Sequence, residues 1–154
     1  MKDLTNEHVA DLATSALESM AFMMLDPADA SDATEMDHHA RISYSSNDEC
    51  SEVFLSASQG FLSELASSML GVEIEDVSME EEGLPALTEL ANVLAGEVAR
   101  ALGAESTPFD VGMPELIDSV PEPMSTRESV DCYLDSMGEM LRVLVVRQGQ
   151  DAGS

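Results

Sequence analysis

The run Leu141-Arg142-Val143-Leu144-Val145-Val146 constrains this chain more than any other segment. Its apolar, β-branched residues have the character of a central strand buried on both faces. It belongs to a pair of runs, Ser129–Leu134 and Met140–Arg147, on either side of Asp135-Ser136-Met137-Gly138-Glu139. That arrangement predicts a hairpin with a glycine turn. A second pair lies earlier. Ala40–Ser45 alternates around Ile42 and Tyr44, Ser51–Ala57 carries Val53, Phe54 and Leu55, and Ser46-Asn47-Asp48-Glu49 supplies the turn between them.

Helical periods fill much of the rest. The first 25 residues carry Val9, Leu12, Ala13, Ala16, Leu17, Met20 and Met24 at three- and four-residue spacing. Asp3 or Thr5 suits the cap of this helix, and Asp26-Pro27 ends it. Residues 27–39 are a polar, acidic connection that holds His38 and His39. A second helix runs from about Ser58 to Leu70 on the stripe Phe61, Leu62, Leu65, Ala66, Met69 and Leu70, with Gly71 as its stop. Acidic residues dominate Val72–Glu82, and the longest helical pattern follows, roughly Leu84–Leu102, closed by Gly103. Pro85 fits its first turn. A strand around Phe109–Ile117 is interrupted by Gly112 and Pro114, a proline position typical of strand ends and edges. Residues 118–127 form a Pro-rich loop. Hairpins with helices between them argue for an α+β fold, a mostly antiparallel sheet with a layer of long helices, rather than a doubly wound parallel sheet. One domain over 1–148 with a disordered tail at 149–154 is expected.

Charge narrows the partners. Thirty-one Asp and Glu against six Lys and Arg give −25. Such a surface repels phosphate backbones and anionic lipid, so neither nucleic acid nor membrane is an expected partner. The charge serves solubility, a salty interior or the steering of a basic partner. No apolar stretch is long enough to span a bilayer, and the N-terminus lacks the pattern of a signal peptide, so a cytoplasmic location is expected. Cys50 and Cys132 have no metal spacing and are expected to be reduced thiols, although a disulfide between them is not forbidden by sequence. No His, Cys or carboxylate set has zinc spacing, and no GxGxxG, Walker loop or GxSxG is present. No metal or cofactor of its own is expected.

The helix at 84–102 carries the most informative surface. At about 100° per residue, Leu87, Leu90, Ala91, Leu94, Val98, Ala101 and Leu102 fall on the core side. Pro85, Glu89, Asn92 and Gly96 fall together on the opposite side. Glu89 and Asn92 are therefore outward i,i+3 neighbours. A glycine on an exposed helix face costs roughly 1 kcal/mol against alanine and leaves a flat place for another protein. The same residues also suit an ordinary solvated face, with Gly96 serving internal packing.

The stretch Leu87-Thr88-Glu89-Leu90-Ala91-Asn92-Val93-Leu94-Ala95-Gly96 resembles the signature helix of the CheC/CheX/FliY chemotaxis phosphatases, with its Glu-x-x-Asn core and following Ala-Gly. In that family a proline follows the Asn beyond a strand, and Val111-Gly112-Met113-Pro114-Glu115 is similar in kind and place. The single motif and the element order are most similar to CheX. The resemblance implies hydrolysis of the aspartyl-phosphate of a CheY-like response regulator, with Asn92 orienting water and Glu89 docking to the regulator's lysine. Pro85 and Gly96 would then sit at the docking surface, Pro114 would support the motif, and Mg²⁺ would belong to the regulator. A homodimer is implied as well, and apolar strand edges at 129–147 would suit self-pairing. The chain departs from the family pattern at Pro85, where Asp or Ser is usual, and in a slightly shorter interval from Asn92 to Pro114. The alternative is a catalytically inactive module that binds a receiver domain or a flagellar or signalling assembly.

Overall fold

The computed structural model describes residues 5–28, 36–46, 49–101, 110–120 and 128–147. The expected tail at 149–154 and the expected stop at Gly103 lie outside them. Among the described residues seven strands form one sheet: β1 (Asp26–Ala28), β2 (His38–Ser46), β3 (Glu49–Ala57), β4 (Asp110–Val111), β5 (Glu115–Ile117), β6 (Glu128–Ser136) and β7 (Glu139–Arg147). Their order is β1-β6-β7-β3-β2, with β4 and β5 both on the outer side of β2. Every pairing is antiparallel. The fold is α+β.

Period-two alternation sorts the strands into two faces. Ala40, Ile42, Val53, Leu55, Val130, Cys132, Val143 and Val145 are buried toward the helices. Three helices cover that face: α1 (Asn6–Ala21), α2 (Gln59–Leu70) and α3 (Leu84–Ala101). The other face carries a smaller cluster, Phe54, Leu144 and Val146, with Ile117 and Val120 packed on it. Around this cluster Arg41 bonds Glu52, and Arg142 forms a two-pronged bond to Asp131 at 2.8 Å. Buried on both faces, β7 is the central strand that its near-continuous apolar run predicts.

Local chemistry sets the helix ends. Thr5 caps α1 by accepting the His8 N–H at 3.1 Å. Ser58 caps α2 by accepting the Phe61 N–H at 3.3 Å, and Gly71 closes that helix at φ +72°. Met24 departs from its expected place in the α1 stripe. The helix stops at Ala21, Phe22 turns left-handed at φ +55°, and the chain beyond alternates as extended chain does. Met23 and Leu25 are consequently buried and Met24 is exposed. Leu70, too, faces solvent, at the end of α2.

Three further expectations are corrected. Residues 26–28 form β1 rather than leading straight into a connection, since Pro27 is tolerated on an edge strand that needs few ladder bonds. His38 and His39 begin β2 rather than lying in a loop, and His39 Nδ1 sits 2.7 Å from Ser56 Oγ. The 129–147 hairpin offers a narrower free edge than expected, because β3 covers β7 and β1 covers β6 over Tyr133–Asp135.

Candidate functional site

The helical run that carries Glu89 and Asn92 begins ahead of α3, inside the acidic segment. Ser78 accepts the Glu81 N–H, and Glu82 reaches back to accept the Ser78 N–H at 2.7 Å. This reciprocal cap starts a wide π turn over Met79–Gly83 that leads directly into α3. In a regular α-helix a proline ring collides with the carbonyl four residues back. The wide turn directly ahead of Pro85 is the irregularity that such a proline demands. Pro85 is thus the second residue of α3, as expected, but it lies well inside a longer helical run.

Beyond Pro85 the helix is regular and sharply two-sided. Ala86, Leu87, Leu90, Ala91, Leu94, Ala95, Val98 and Ala99 are buried. This stripe is wider than the expected one. The small alanines at 86, 95 and 99 let α3 settle closely onto β2, β3 and the neighbouring helices. Ala101 is half-buried, and Leu102 lies outside the described residues. Pro85, Glu89 and Asn92 are all exposed, and Gly96 is partly so. The sequence therefore located the outward face of α3 correctly.

Among the described residues neither Glu89 nor Asn92 has a side-chain hydrogen bond or ion pair. Thr88, beside Glu89, turns its hydroxyl onto the Pro85 carbonyl at 2.8 Å instead. A Cβ at Gly96 would meet only the Arg100 guanidinium, at 3.7 Å, an ordinary contact. Internal packing does not require glycine there. Glu97, the next residue, pairs with Arg100 at 3.3 Å across one helical turn. Its charge is matched within the chain.

Pro114 stands on the broken outer edge of the sheet. There β4 pairs with Tyr44 and Ser45, β5 pairs with residues 39–41, and 112–114 bridge the gap. Gly112 anchors the break by donating its N–H to the Ser43 carbonyl at 2.8 Å. Both short strands touch α3. Met113, in the break, is 82% exposed, a feature that periodicity had no means to find. A shallow cleft of about 180 Å³ lies on this edge, lined by residues of β2, β3 and β4 and by Gly112, but by none of α3. Among the described residues no group of three or more His, Cys, Asp or Glu is placed to hold a metal ion. Among the described residues no helix is long and apolar enough to cross a membrane.

The family model described as "Chemotaxis phosphatase CheX" matches residues 40–141. The chain belongs to the CheX family. Solved structures share its fold. A CheC-like superfamily protein from Shewanella sp. PV-4 superposes with a TM-score of 0.72 at 19% identity, covering 92% of this chain and 95% of that one. The chemotaxis protein CheX from Vibrio vulnificus gives 0.72 at 16% identity, covering 91% and 93%. CheX in the CheX–CheY–BeF3–Mg complex from Borrelia burgdorferi gives 0.67 at 18% identity, covering 92% and 96%. Among curated protein sequences nothing matches. The CheX-matched span contains all of α3, the broken edge and each of Pro85, Glu89, Asn92, Gly96 and Pro114.

Proposed function

We propose that this CheX-family chain hydrolyses the aspartyl-phosphate of a CheY-type response regulator in chemotaxis or two-component signalling. The observation that carries the proposal is the outward pair Glu89 and Asn92, exposed on a rigid helix with no intramolecular partner among the described residues. Polar side chains held ready but unused suit contacts that form only with another molecule.

An acyl phosphate is already activated, so catalysis consists mainly of placing a water in line with the bond that breaks. Water attacks phosphorus, the bond from phosphorus to the aspartyl oxygen breaks, and inorganic phosphate leaves. The aspartyl carboxylate is regenerated, and the proton passes to phosphate or solvent. The Asn92 carboxamide accepts from and donates to that water, which fixes its direction without acting as a base. Glu89 pairs with the regulator's active-site lysine and sets the register of the helix. Gly96 lets the regulator approach closely, Pro85 borders the same surface, and Pro114 supports it from the sheet edge. The Mg²⁺ that neutralises the phosphoryl oxygens belongs to the regulator.

Replacing Asn92 or Glu89 with alanine is expected to slow release of phosphate from a phosphorylated regulator about a hundredfold, with the denaturant midpoint unchanged. Wild-type protein that leaves the phosphate lifetime of every regulator of its host unaltered would refute the reaction. In a second reading the same surface binds a receiver without hydrolysis. Pro85 on the docking face favours it, and complex formation with an unchanged phosphate lifetime would establish it. Location in the cytoplasm and assembly as a homodimer belong to the same proposal, and sedimentation at micromolar concentration tests the dimer.

A further inference from the structure

Two bulky residues occupy backbone positions that suit glycine or asparagine. Phe22 ends α1 at φ +55°, and Met137 stands first in the two-residue turn between β6 and β7 at φ +52°. Few side chains adopt this region, and for a bulky residue it is a true outlier. Hydrogen bonds close the helix end and the turn, but neither side chain packs on the fold, since Phe22 is 85% exposed and Met137 94% exposed. Met24, 78% exposed, lies close by in the chain.

The sheet register brings all three to one corner. β1 pairs Asp26 with Asp135, so the chain just before Asp26 and the turn just after Asp135 share the same end of the sheet. α1 runs along β6 from Asn6, which bonds Asp131, toward that turn. Phe22, Met24 and Met137 are thus exposed apolar residues at one corner on the β6 side of the fold, whereas α3 lies over β2 and β3.

Acidic side chains predominate around the patch. Glu18 and Asp26 are exposed, and Asp26 faces Asp135 directly across the β1–β6 pair, an arrangement of like charges that repels. Of the described arginines only Arg142 stands near, diagonal to Asp135 across the β6–β7 pair, and its guanidinium is held by Asp131. Arg41 bonds Glu52, Arg100 bonds Glu97, Arg142 bonds Asp131, and Arg147 lies at the opposite end of β7. A second copy of the same corner would double the repulsion. A cationic partner would relieve it.

We propose that Phe22, Met24 and Met137 form a docking surface for a basic amphipathic segment of a partner protein, separate from the face of Glu89 and Asn92. Flexible methionines adapt to the apolar side of such a segment, and Glu18, Asp26 and Asp135 meet its Lys or Arg residues. Partner contact accounts for two apolar residues kept where the backbone disfavours them.

The test uses the full chain and a synthetic helical peptide of Leu and Lys with its leucines on one face, in about 0.15 M salt. The ε-methyl resonances of Met24 and Met137 are expected to shift on titration while that of Met113 stays in place. The triple variant Phe22→Gly, Met24→Ser, Met137→Asn is expected to bind the peptide at least about tenfold more weakly. Its melting temperature should equal or exceed that of wild type, because Gly and Asn suit left-handed positions. A Leu–Glu peptide of the same apolar pattern should not bind. Equal binding by the triple variant, a shift at Met113 instead, or no binding of the basic peptide would overturn the proposal. So would a wild-type dimer that the triple variant converts to monomer, since a second copy would then own the patch.

Discussion

Replacing Gly96 with alanine separates what the chain needs from what its partner needs. A helix-interior glycine costs roughly 0.8–1 kcal/mol against alanine, because it loses more backbone freedom on folding. That gain is offset only where the new methyl group collides, and here it would meet the Arg100 guanidinium at 3.7 Å. Gly96→Ala is therefore expected to be the more stable protein by about 0.5–1 kcal/mol, a rise of about 1.5–3 °C in Tm for a chain of this size. The opposite result is expected with the regulator. An added methyl at a closely packed contact costs about 1–3 kcal/mol, and each 1.4 kcal/mol is tenfold. Loss of about tenfold or more in kcat/KM for release of phosphate from the regulator should follow, alongside the raised denaturant midpoint. A variant with undiminished kcat/KM would show that no partner approaches closely at Gly96. A destabilised variant would show that the glycine serves the chain itself.

Ser58→Ala is expected to cost about 2–4 kcal/mol in denaturant unfolding, because the hydroxyl accepts both the Phe61 and the Met140 N–H and donates to Glu139 at 2.7 Å. Burial, aided by the nearby charges of His38 and Arg142, holds His39 below the ordinary histidine value. The unfolded chain then binds more protons, so stability is fully present above the ordinary value and is lost as pH falls toward the folded one. Unfolding at about pH 7.5 and about pH 5.5 should show that loss, and His39→Gln should reduce it. Burial pushes the Cys132 thiol up to about 12, whereas Cys50 is exposed. A thiol reagent should modify Cys50 rapidly in the native protein and Cys132 only on unfolding; equal rates would contradict the placement of Cys132.

Strong local signals were legible in the sequence. Ser58 and Gly71 bracket α2, the apolar runs mark β2, β3, β6 and β7, and the outward face of α3 follows from its stripe. Features without a local signal were not legible. β1 has three residues, too few to alternate visibly, and Pro27 masks it further. The end of α1 was misplaced because Met20 and Met24 continue the helical spacing past Phe22, whose left-handed backbone leaves no mark in the sequence. The π turn at Met79–Gly83 has no compositional signature, so periodicity alone starts the helix at about Leu84. Exposure of Met113 and Met137 depends on where two turns fall in space. The roles of Glu89 and Asn92 came from resemblance to a family motif, because periodicity alone gives only their direction.

The seam between β3 and β7 also bears on how the chain is made. Ser51 pairs with Arg147 and Ala57 with Leu141, so the middle of the sheet joins early and late parts of the sequence. During synthesis β3 must wait for nearly the whole chain before its second neighbour exists. Until then Val53, Leu55 and the edge beside them are open to any other nascent strand. Contacts so distant in sequence also make folding slow compared with that of a helical bundle of similar length. Messages truncated before residue 139 are thus expected to yield aggregates rather than a smaller folded product, because what is missing is the centre of the sheet and not its rim.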